Sequence, residues 1–282
     1  MRYGFITCVR LGLVCIEELV GLDANLVLLG TLADNRATSK SGRIYLDDIA
    51  EDAGLPLLKF DNVNDPGVVE AIRDAKLDWL YIIGWSQIAG PAVLSAPRLG
   101  VLGMHPTLLP EGRGRASIPW AIIKGLPETG VSMFKLDDGM DTGPLLAQAR
   151  VPIASDETST SLYGKVEDAH RLLIRETFHA VDSGSPTLNE QDHSRATEWP
   201  GRRPEDGELD LKVLTATEVG RHVRALTHPY PGAFVPLPDG RLMRIWAGRE
   251  AARDDSPTSG VMLAAAADTT YLATDITYEP AS

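Results

Sequence analysis

Cysteine is nearly absent: the 282 residues hold two, Cys8 and Cys15, both close to the start. Two thiols cannot make a disulfide framework, so reduced thiols in the cytoplasm are the expectation. Long hydrophobic runs are missing as well. No stretch reaches the roughly 20 apolar residues of a membrane span. The apolar opening MRYGFITCVRLGLVCIEELV carries Glu17 and Glu18 and has no small-residue cleavage site. It reads as a first strand and helix, not a signal peptide, and no membrane partner is expected. Positive charge is scarce: 27 Lys and Arg stand against 39 Asp and Glu, a formal net charge of −12. Clustered Lys and Arg are what bind a phosphate backbone, so a nucleic acid is not expected as partner. A small phosphorylated ligand held by a few local arginines remains compatible. Glycine-rich phosphate loops are missing too. No GxGxxG follows the first strand and no GxxxxGK[ST] occurs anywhere, which removes the dinucleotide and P-loop readings. No His/Cys pair has ligand spacing, and Asp137, Asp138 and Asp141 have no histidine at helical spacing, so no metal is expected. There is no internal repeat and no low-complexity tract.

What is present is an alternation. Apolar residues make up 44% of the chain, enough for a sizeable core. Residues 3–9 read as a buried strand, 10–21 as a helix with Leu13, Ile16 and Leu19 at helical spacing, and 25–33 as a strand apolar on both faces. A polar loop, DNRATSKSGR, carries Arg36, Lys40 and Arg43, the most basic local patch. It is either an anion or partner contact or a solvated loop. Residues 45–53 read as helix, 55–60 as strand, 66–75 as helix with Pro66 near its start, and 77–85 as a strongly apolar strand. This is the pattern of a doubly wound α/β domain, a Rossmann-like parallel sheet, in which ligands bind beyond the carboxyl ends of the strands. Two loops at such ends are GWSQIAG (residues 84–90) and the turn after VLGMH. A long helix is expected over 160–182. Residues 183–208 are polar and rich in Pro and Gly. A helix follows with Thr215 or Thr217 as cap, then short strands joined by turns such as PDG. The expected organisation is a catalytic domain over 1–183, a linker over 184–204 and a small β-rich domain over 205–282.

Residues 100–146 concentrate the chemistry. They hold one histidine, His105, between a short apolar run and a Pro-rich turn. They also hold an acidic cluster, Asp137, Asp138 and Asp141, bounded by Gly139 and Gly143. A histidine and a carboxylate that meet in a pocket can move a proton near neutral pH. Arg113 and Arg115, in EGRGRAS, are either self-pinning loop residues or contacts for an anionic substrate group. Trp120 and Ile123 fit a core helix. His228 fits a structural role.

The stretch HPTLLPEGRGRASIPWAIIKGLPETGVSMFKLDDGMDTGPLL resembles the formyltransferases that use N10-formyltetrahydrofolate. The resemblance rests on the His-x-x-Leu-Leu-Pro turn, the Arg-Gly-Arg loop, the Trp-Ala-Ile helix, the Glu-Thr-Gly-Val strand and the Asp-Thr-Gly loop, in that order. It extends back through GWSQIAG and forward to RALTHPYPGAF and RLMRIWAG, which resemble the family's small OB-like C-terminal β domain. The resemblance implies that an amine attacks the formyl carbon, giving a tetrahedral intermediate with an oxyanion. It implies His105 as the catalytic histidine and Asp141 as the acid that orients the imidazole and raises its basicity. Trp85, Gln87 and Ile88 would wall the pterin, and backbone groups of Leu136, Asp137 and Asp138 would pair with its polar edge. A homodimer is implied in the same way.

In one position the chain departs from the family pattern. The Asn two residues before the histidine, which helps hold the oxyanion, is Gly103 here. Losing one oxyanion donor typically costs about 3 to 4 kcal/mol in the transition state. Protonated His105, a backbone N–H, a water or Gln87 would have to replace it. The expected acceptor is the amine of a small molecule, an amino sugar linked to a nucleotide, with Arg113 or Arg115 on its phosphate. An amino acid such as N-hydroxyornithine is the alternative. Of another class are a folate-binding protein without catalysis, which Gly103 favours, and a formyltetrahydrofolate hydrolase.

Overall fold

β1 (Tyr3–Ile6) is buried along its whole length, as an uninterrupted apolar run requires of a strand covered on both faces. α1 (Arg10–Gly21) follows, burying Leu11, Val14, Cys15, Ile16 and Leu19. Next come β2 (Leu26–Leu32), α2 (Asp47–Asp52), β3 (Leu57–Phe60) and α3 (Pro66–Asp74), with Pro66 in the first turn of α3 where its missing N–H costs nothing. β4 (Trp79–Ile83), the short α4 (Pro91–Leu94) and β5 (Gly100–His105) complete the parallel part. The structure, a computed structural model, describes residues 1–39, 42–252, 255 and 259–280. Lys40 of the basic loop lies outside the described residues. Arg43 of that loop is turned inward, donating to Thr31 Oγ1 and to the carbonyls of Leu32 and Ile44.

The remaining elements are β6 (Arg113–Gly114), α5 (Ser117–Ile123), β7 (Glu128–Lys135), β8 (Leu145–Pro152), α6 (Ser159–Asp182), β9 (Glu198–Trp199), α7 (Ala216–Leu226), β10 (Ala233–Pro236), β11 (Arg241–Ala251), β12 (Val261–Ala264) and β13 (Thr270–Pro280). The chain forms two compact units. The first comprises residues 1–114, 129–151 and 165–198; the second comprises 115–128, 152–164 and 199–282.

The first unit is built on a seven-stranded sheet of order β3-β2-β1-β4-β5-β7-β8. β1 to β5 pair in parallel, and β7 runs antiparallel to β5. This is the Rossmann-like sheet expected, with an antiparallel extension. One face buries a cluster that includes Ile6, Leu28, Phe60, Val68, Ile72, Leu80, Ile82 and Val101. On α6, Arg171 and Arg175 pair with Glu17 and Glu18 of α1. The strand order reverses at β1 and β4, and crevices beyond the carboxyl ends at such a reversal are where ligands bind. β4 opens there into the 84–90 loop. The β4–β5 register, with Ile83 opposite Met104, sets His105 level with Gly84.

The second unit holds a four-stranded antiparallel sheet of order β10-β11-β13-β12, with α7 against it and α5 beside α7. Of the two cap candidates, Thr215 caps α7. Its hydroxyl meets the Glu218 amide while the Glu218 carboxylate accepts from the Thr215 amide. His228 stacks on Trp246 with ring centroids 4.5 Å apart. The unit is larger than the 205–282 expected, because residues 115–128 and 152–164 cluster with it. Residues 184–198, expected as linker, belong instead to the first unit. A change of composition marks where a chain turns polar, not which segments pair. No helix among the described residues is long and apolar enough to cross a membrane.

Candidate active site

His105 is the last residue of β5, and Pro106 after it has no amide to extend the ladder. The chain therefore turns, and three side-chain bonds shape the turn. Ser132 on β7 donates to Thr107 O at 2.7 Å and accepts from Leu109 N at 3.0 Å. Gln148 on β8 donates to Leu109 O at 2.9 Å. The turn returns the carbonyl of Gly112 to 2.8 Å from His105 Nε2. A carbonyl only accepts, so Nε2 carries the proton, and the bare nitrogen of the neutral ring is Nδ1. Nδ1 lies 3.6 Å from Asp141 Oδ2. That is too long for a hydrogen bond and close enough for an ion pair once the ring is protonated. The imidazole is 8% exposed.

Asp141 is held by its backbone as much as by its carboxylate. Its φ is +57°, in the left-handed region that Asp tolerates better than most residues. Gly114 N donates to Oδ2 at 2.9 Å. Asp137 organises the same loop, accepting from Gly139 N at 3.1 Å and from the Thr142 hydroxyl at 2.6 Å. Behind the loop, Gln191 Nε2 donates to Asp141 O at 2.9 Å and Gly143 O at 2.7 Å. Gln191 Oε1 in turn accepts from Arg113 Nη2 at 2.7 Å, and the same Nη2 lies 2.9 Å from His193 Nδ1. A guanidinium only donates, so His193 accepts there. Thr197 closes the arrangement. Its hydroxyl accepts from Gly112 N at 2.8 Å and its carbonyl from Arg113 N at 2.9 Å. Residues 191–197 thus hold both the carbonyl-bearing glycine that pins His105 and the loop that carries Asp141.

Several expected site residues are used otherwise. Arg113 is 6% exposed and faces Gln191 and His193, so burial withdraws it from the anionic substrate contact expected of it. Arg115 is exposed, and its guanidinium bonds to nothing among the described residues. Both ends of the Gln87 amide are committed, Nε2 to Asp61 O at 2.7 Å and Oε1 to Val63 N at 2.9 Å. It braces the loop and is not the free oxyanion donor expected. Trp85 packs against Phe60, centroids 5.4 Å apart, as part of the core, with Nε1 buried and without a partner. Ile88 is 66% exposed and Met140 44%, the two large apolar side chains of the 84–90 and 136–144 loops that face solvent. Asp137 spends its carboxylate on its own turn, and Asp138 is exposed. Leu136 N is bonded to Val101 O at 2.8 Å. The carbonyl of Leu136 and the amide of Asp138 have no internal partner among the described residues.

Gly103 has a neighbour that pattern reading did not find. A Cβ built on it would lie 2.6 Å from Leu136 Cδ2 and 3.3 Å from Cγ. The leucine fills the space a side chain at 103 would need. Also unforeseen is His170 on α6. Burial pushes its pKa down to about 4, and the charge that His105 can carry works in the same direction. His170 therefore stays neutral at neutral pH, its Nδ1 2.7 Å from Val166 O. Gln191 and Thr197 left one trace in the sequence, polar residues spaced through 189–197 beyond what a linker needs; Leu136 and His170 left none. Among the described residues no three His, Cys, Asp or Glu side chains gather to hold a metal ion.

Comparison with known proteins gives the family and the fold. The model of the formyl transferase family matches residues 35–177. A methionyl-tRNA formyltransferase of Sorangium cellulosum (strain So ce56) is 34% identical over 218 residues, 76% of this chain and 69% of that protein. Among solved structures, the N-formyltransferase of Helicobacter canadensis in complex with folinic acid and dTDP-3-aminofucose is similar with a TM-score of 0.73. The identity is 14%, over 96% of this chain and 98% of that one. A sugar N-formyltransferase from Shewanella sp FDAARGOS_354 gives a TM-score of 0.71 at 19% identity, over 90% and 99%. At these identities the structural likeness carries the fold.

Proposed function

The chain belongs to the formyl transferase family and is a formyl-transferring enzyme, and from that premise we propose that it moves the formyl group of N10-formyltetrahydrofolate onto the amine of a nucleotide-linked amino sugar. The observation that carries the reading is the facing pair, His105 Nδ1 and Asp141 Oδ2, 3.6 Å apart at the carboxyl edge of the sheet. The folate would supply a formyl carbon on a nitrogen able to leave. The attacking amine must shed a proton. His105 Nδ1 is the nitrogen that takes it, because Nε2–H is engaged by Gly112 O. Asp141 stabilises the imidazolium that results. With glycine at 103 and Gln87 committed elsewhere, the proton that Nδ1 has taken is the one at hand for the oxyanion, and it passes to the folate nitrogen as the bond from the formyl carbon to N10 breaks, which leaves neutral His105 and free tetrahydrofolate.

Recognition of the pterin is supported by the Leu136 carbonyl and Asp138 amide, without partners among the described residues, and by the exposed apolar Ile88 and Met140 on the two loops. A flat ring with a polar rim suits a slot with apolar walls and main-chain donors and acceptors. Of the two arginines of the 113–115 loop, Arg115 is the one whose guanidinium has no bond among the described residues, which suits it to a phosphate on the acceptor. The sugar acceptor is supported by the neighbouring structures, one of which was solved with dTDP-3-aminofucose. A second reading, an aminoacyl-tRNA acceptor, is favoured by the 34% identity to a methionyl-tRNA formyltransferase. The net charge of −12 weighs against it.

The test is an acceptor screen by mass spectrometry with N10-formyltetrahydrofolate as donor. Nucleotide-linked amino sugars, N-hydroxyornithine and methionyl initiator tRNA are each offered. A mass gain of one formyl group on the amino sugar alone supports the proposal. Formylation of the tRNA or the amino acid instead overturns the acceptor. Folate release without any amine would mark a hydrolase, and folate binding without release a non-catalytic protein.

A further inference from the structure

In the second unit, Arg221 and Arg224 lie three positions apart on α7 and line one cavity of about 450 Å³, together with Pro127, Ser155, Thr217 and Glu250. Neither guanidinium forms a hydrogen bond or ion pair with another described residue. The nearby carboxylates are engaged. Glu218 accepts from the Thr215 amide and hydroxyl, both at 2.8 Å, Glu250 accepts from Thr217 Oγ1 at 2.9 Å, and Glu157, also on the cavity wall, accepts from Ala154 N at 3.1 Å and Ser161 Oγ at 2.5 Å. Arg224 Nε is buried without a partner, and so is the Tyr271 hydroxyl, whose phenol feels the Arg224 charge. Arg224 and the Tyr271 ring meet over Gly220. Room has been kept for the other guanidinium. A Cβ at Gly125 would lie 2.5 Å from Arg221 Cζ, and Gly125 has a φ of +63° that disfavours a side chain in any case.

Two like charges three residues apart on one helix repel, and a buried cationic donor without an acceptor is costly. In a chain of net charge −12, such a pair is stable once an anion joins it. A guanidinium fork matches the paired oxygens of a carboxylate or phosphate. The cavity is of the size that takes a small organic molecule rather than a bare ion. We propose that this cavity binds a small organic oxyanion, its carboxylate or phosphate held between Arg221 and Arg224. Glu250 on the wall excludes polyanions and suits a ligand that carries one anionic group and a hydroxyl or amine.

Thermal unfolding and isothermal titration of the full chain test this, with sodium phosphate and sodium acetate as probes and sodium chloride at equal ionic strength as the reference. Phosphate or acetate is expected to raise the unfolding temperature above the chloride value. Affinity should fall at least tenfold in R221Q and in R224Q, and binding should vanish in R221Q/R224Q. Phosphate binding alone assigns a phosphate head, acetate binding alone a carboxylate. If neither probe exceeds chloride, or if R221Q/R224Q responds as the parent does, the site does not exist. Should the double variant fail to fold, R224K decides: it keeps the charge and loses the fork, and undiminished affinity in it also overturns the proposal.

Discussion

Leu136 stands over Gly103, its Cδ2 2.6 Å from where a Cβ would be. A side chain at 103 and the leucine at 136 therefore compete for one space. G103N alone forces the leucine aside and should destabilise the fold by about 1–3 kcal/mol. G103N/L136A opens the room. Measured by urea unfolding, the pair should be clearly non-additive. In the same double variant, kcat for formyl transfer should rise about 100-fold over L136A alone, as expected when an oxyanion donor is supplied. An unchanged kcat would mean that the protein places its oxyanion elsewhere.

Removing either member of the facing pair should abolish most turnover. H105N and D141N are each expected to lower kcat by about 100 to 10,000-fold, with folate binding, read by titration, changed little. D141N keeps an oxygen for Gly114 N and loses the charge that stabilises the imidazolium. Its loss therefore isolates the electrostatic part. Full activity in D141N would remove Asp141 from the mechanism.

Gln191 is a positioning residue for the loop of Asp141. Gln191→Leu leaves the carbonyls of Asp141 and Gly143 without their donor, at about 1–3 kcal/mol for each buried group left unsatisfied. A shift of the carboxylate by about 1 Å should then cost up to 100-fold in kcat, with the acceptor KM near its original value. A merely structural role would lower stability and leave kcat and its pH profile where they were. T197V tests the other half, since it removes the acceptor of Gly112 N and loosens the carbonyl that pins His105 Nε2.

His170 makes stability depend on pH in a definite direction. Its folded pKa is about 4 against an ordinary 6.5, so the unfolded chain binds the proton more readily. The contribution is fully present above pH 6.5 and is lost as pH falls toward 4. By linkage it amounts to roughly 3 kcal/mol at most. Urea midpoints between pH 7 and pH 4.5 should fall more steeply in the parent than in His170→Gln. Parallel curves would show that His170 is not buried neutral.

The first half of the fold was legible because each strand and helix there announces itself locally. The helix over residues 10–21, and a cap at Thr215 or Thr217 that the fold resolves to Thr215, were read from spacing and residue type alone. His105 and Asp141 were named from the family's ordered motifs, and the fold brings their side chains to 3.6 Å. What could not be read were contacts between segments distant in the chain. Gln191 reaches Asp141 across 50 positions and Thr197 reaches Gly112 across 85. A polar, Pro- and Gly-rich stretch gives no periodic sign of such bonds, so 184–204 passed for a linker. Arg113 was left open between loop and substrate, and Gln87 was one of several oxyanion candidates: a polar side chain near a site can serve its substrate or its scaffold, and only burial and partners tell which.

The clasp formed by residues 191–197 also sets where the catalytic piece of this chain ends. All seven strands of the first sheet lie before residue 153, and the family match stops at 177. A fragment cut at either point would carry His105, Asp141 and the sheet beneath them, yet Asp141 O, Gly143 O and Gly112 N would have lost their partners on Gln191 and Thr197. Any graft, split reporter or minimal version must run through residue 198 to keep His105 and Asp141 held as they are in the full chain.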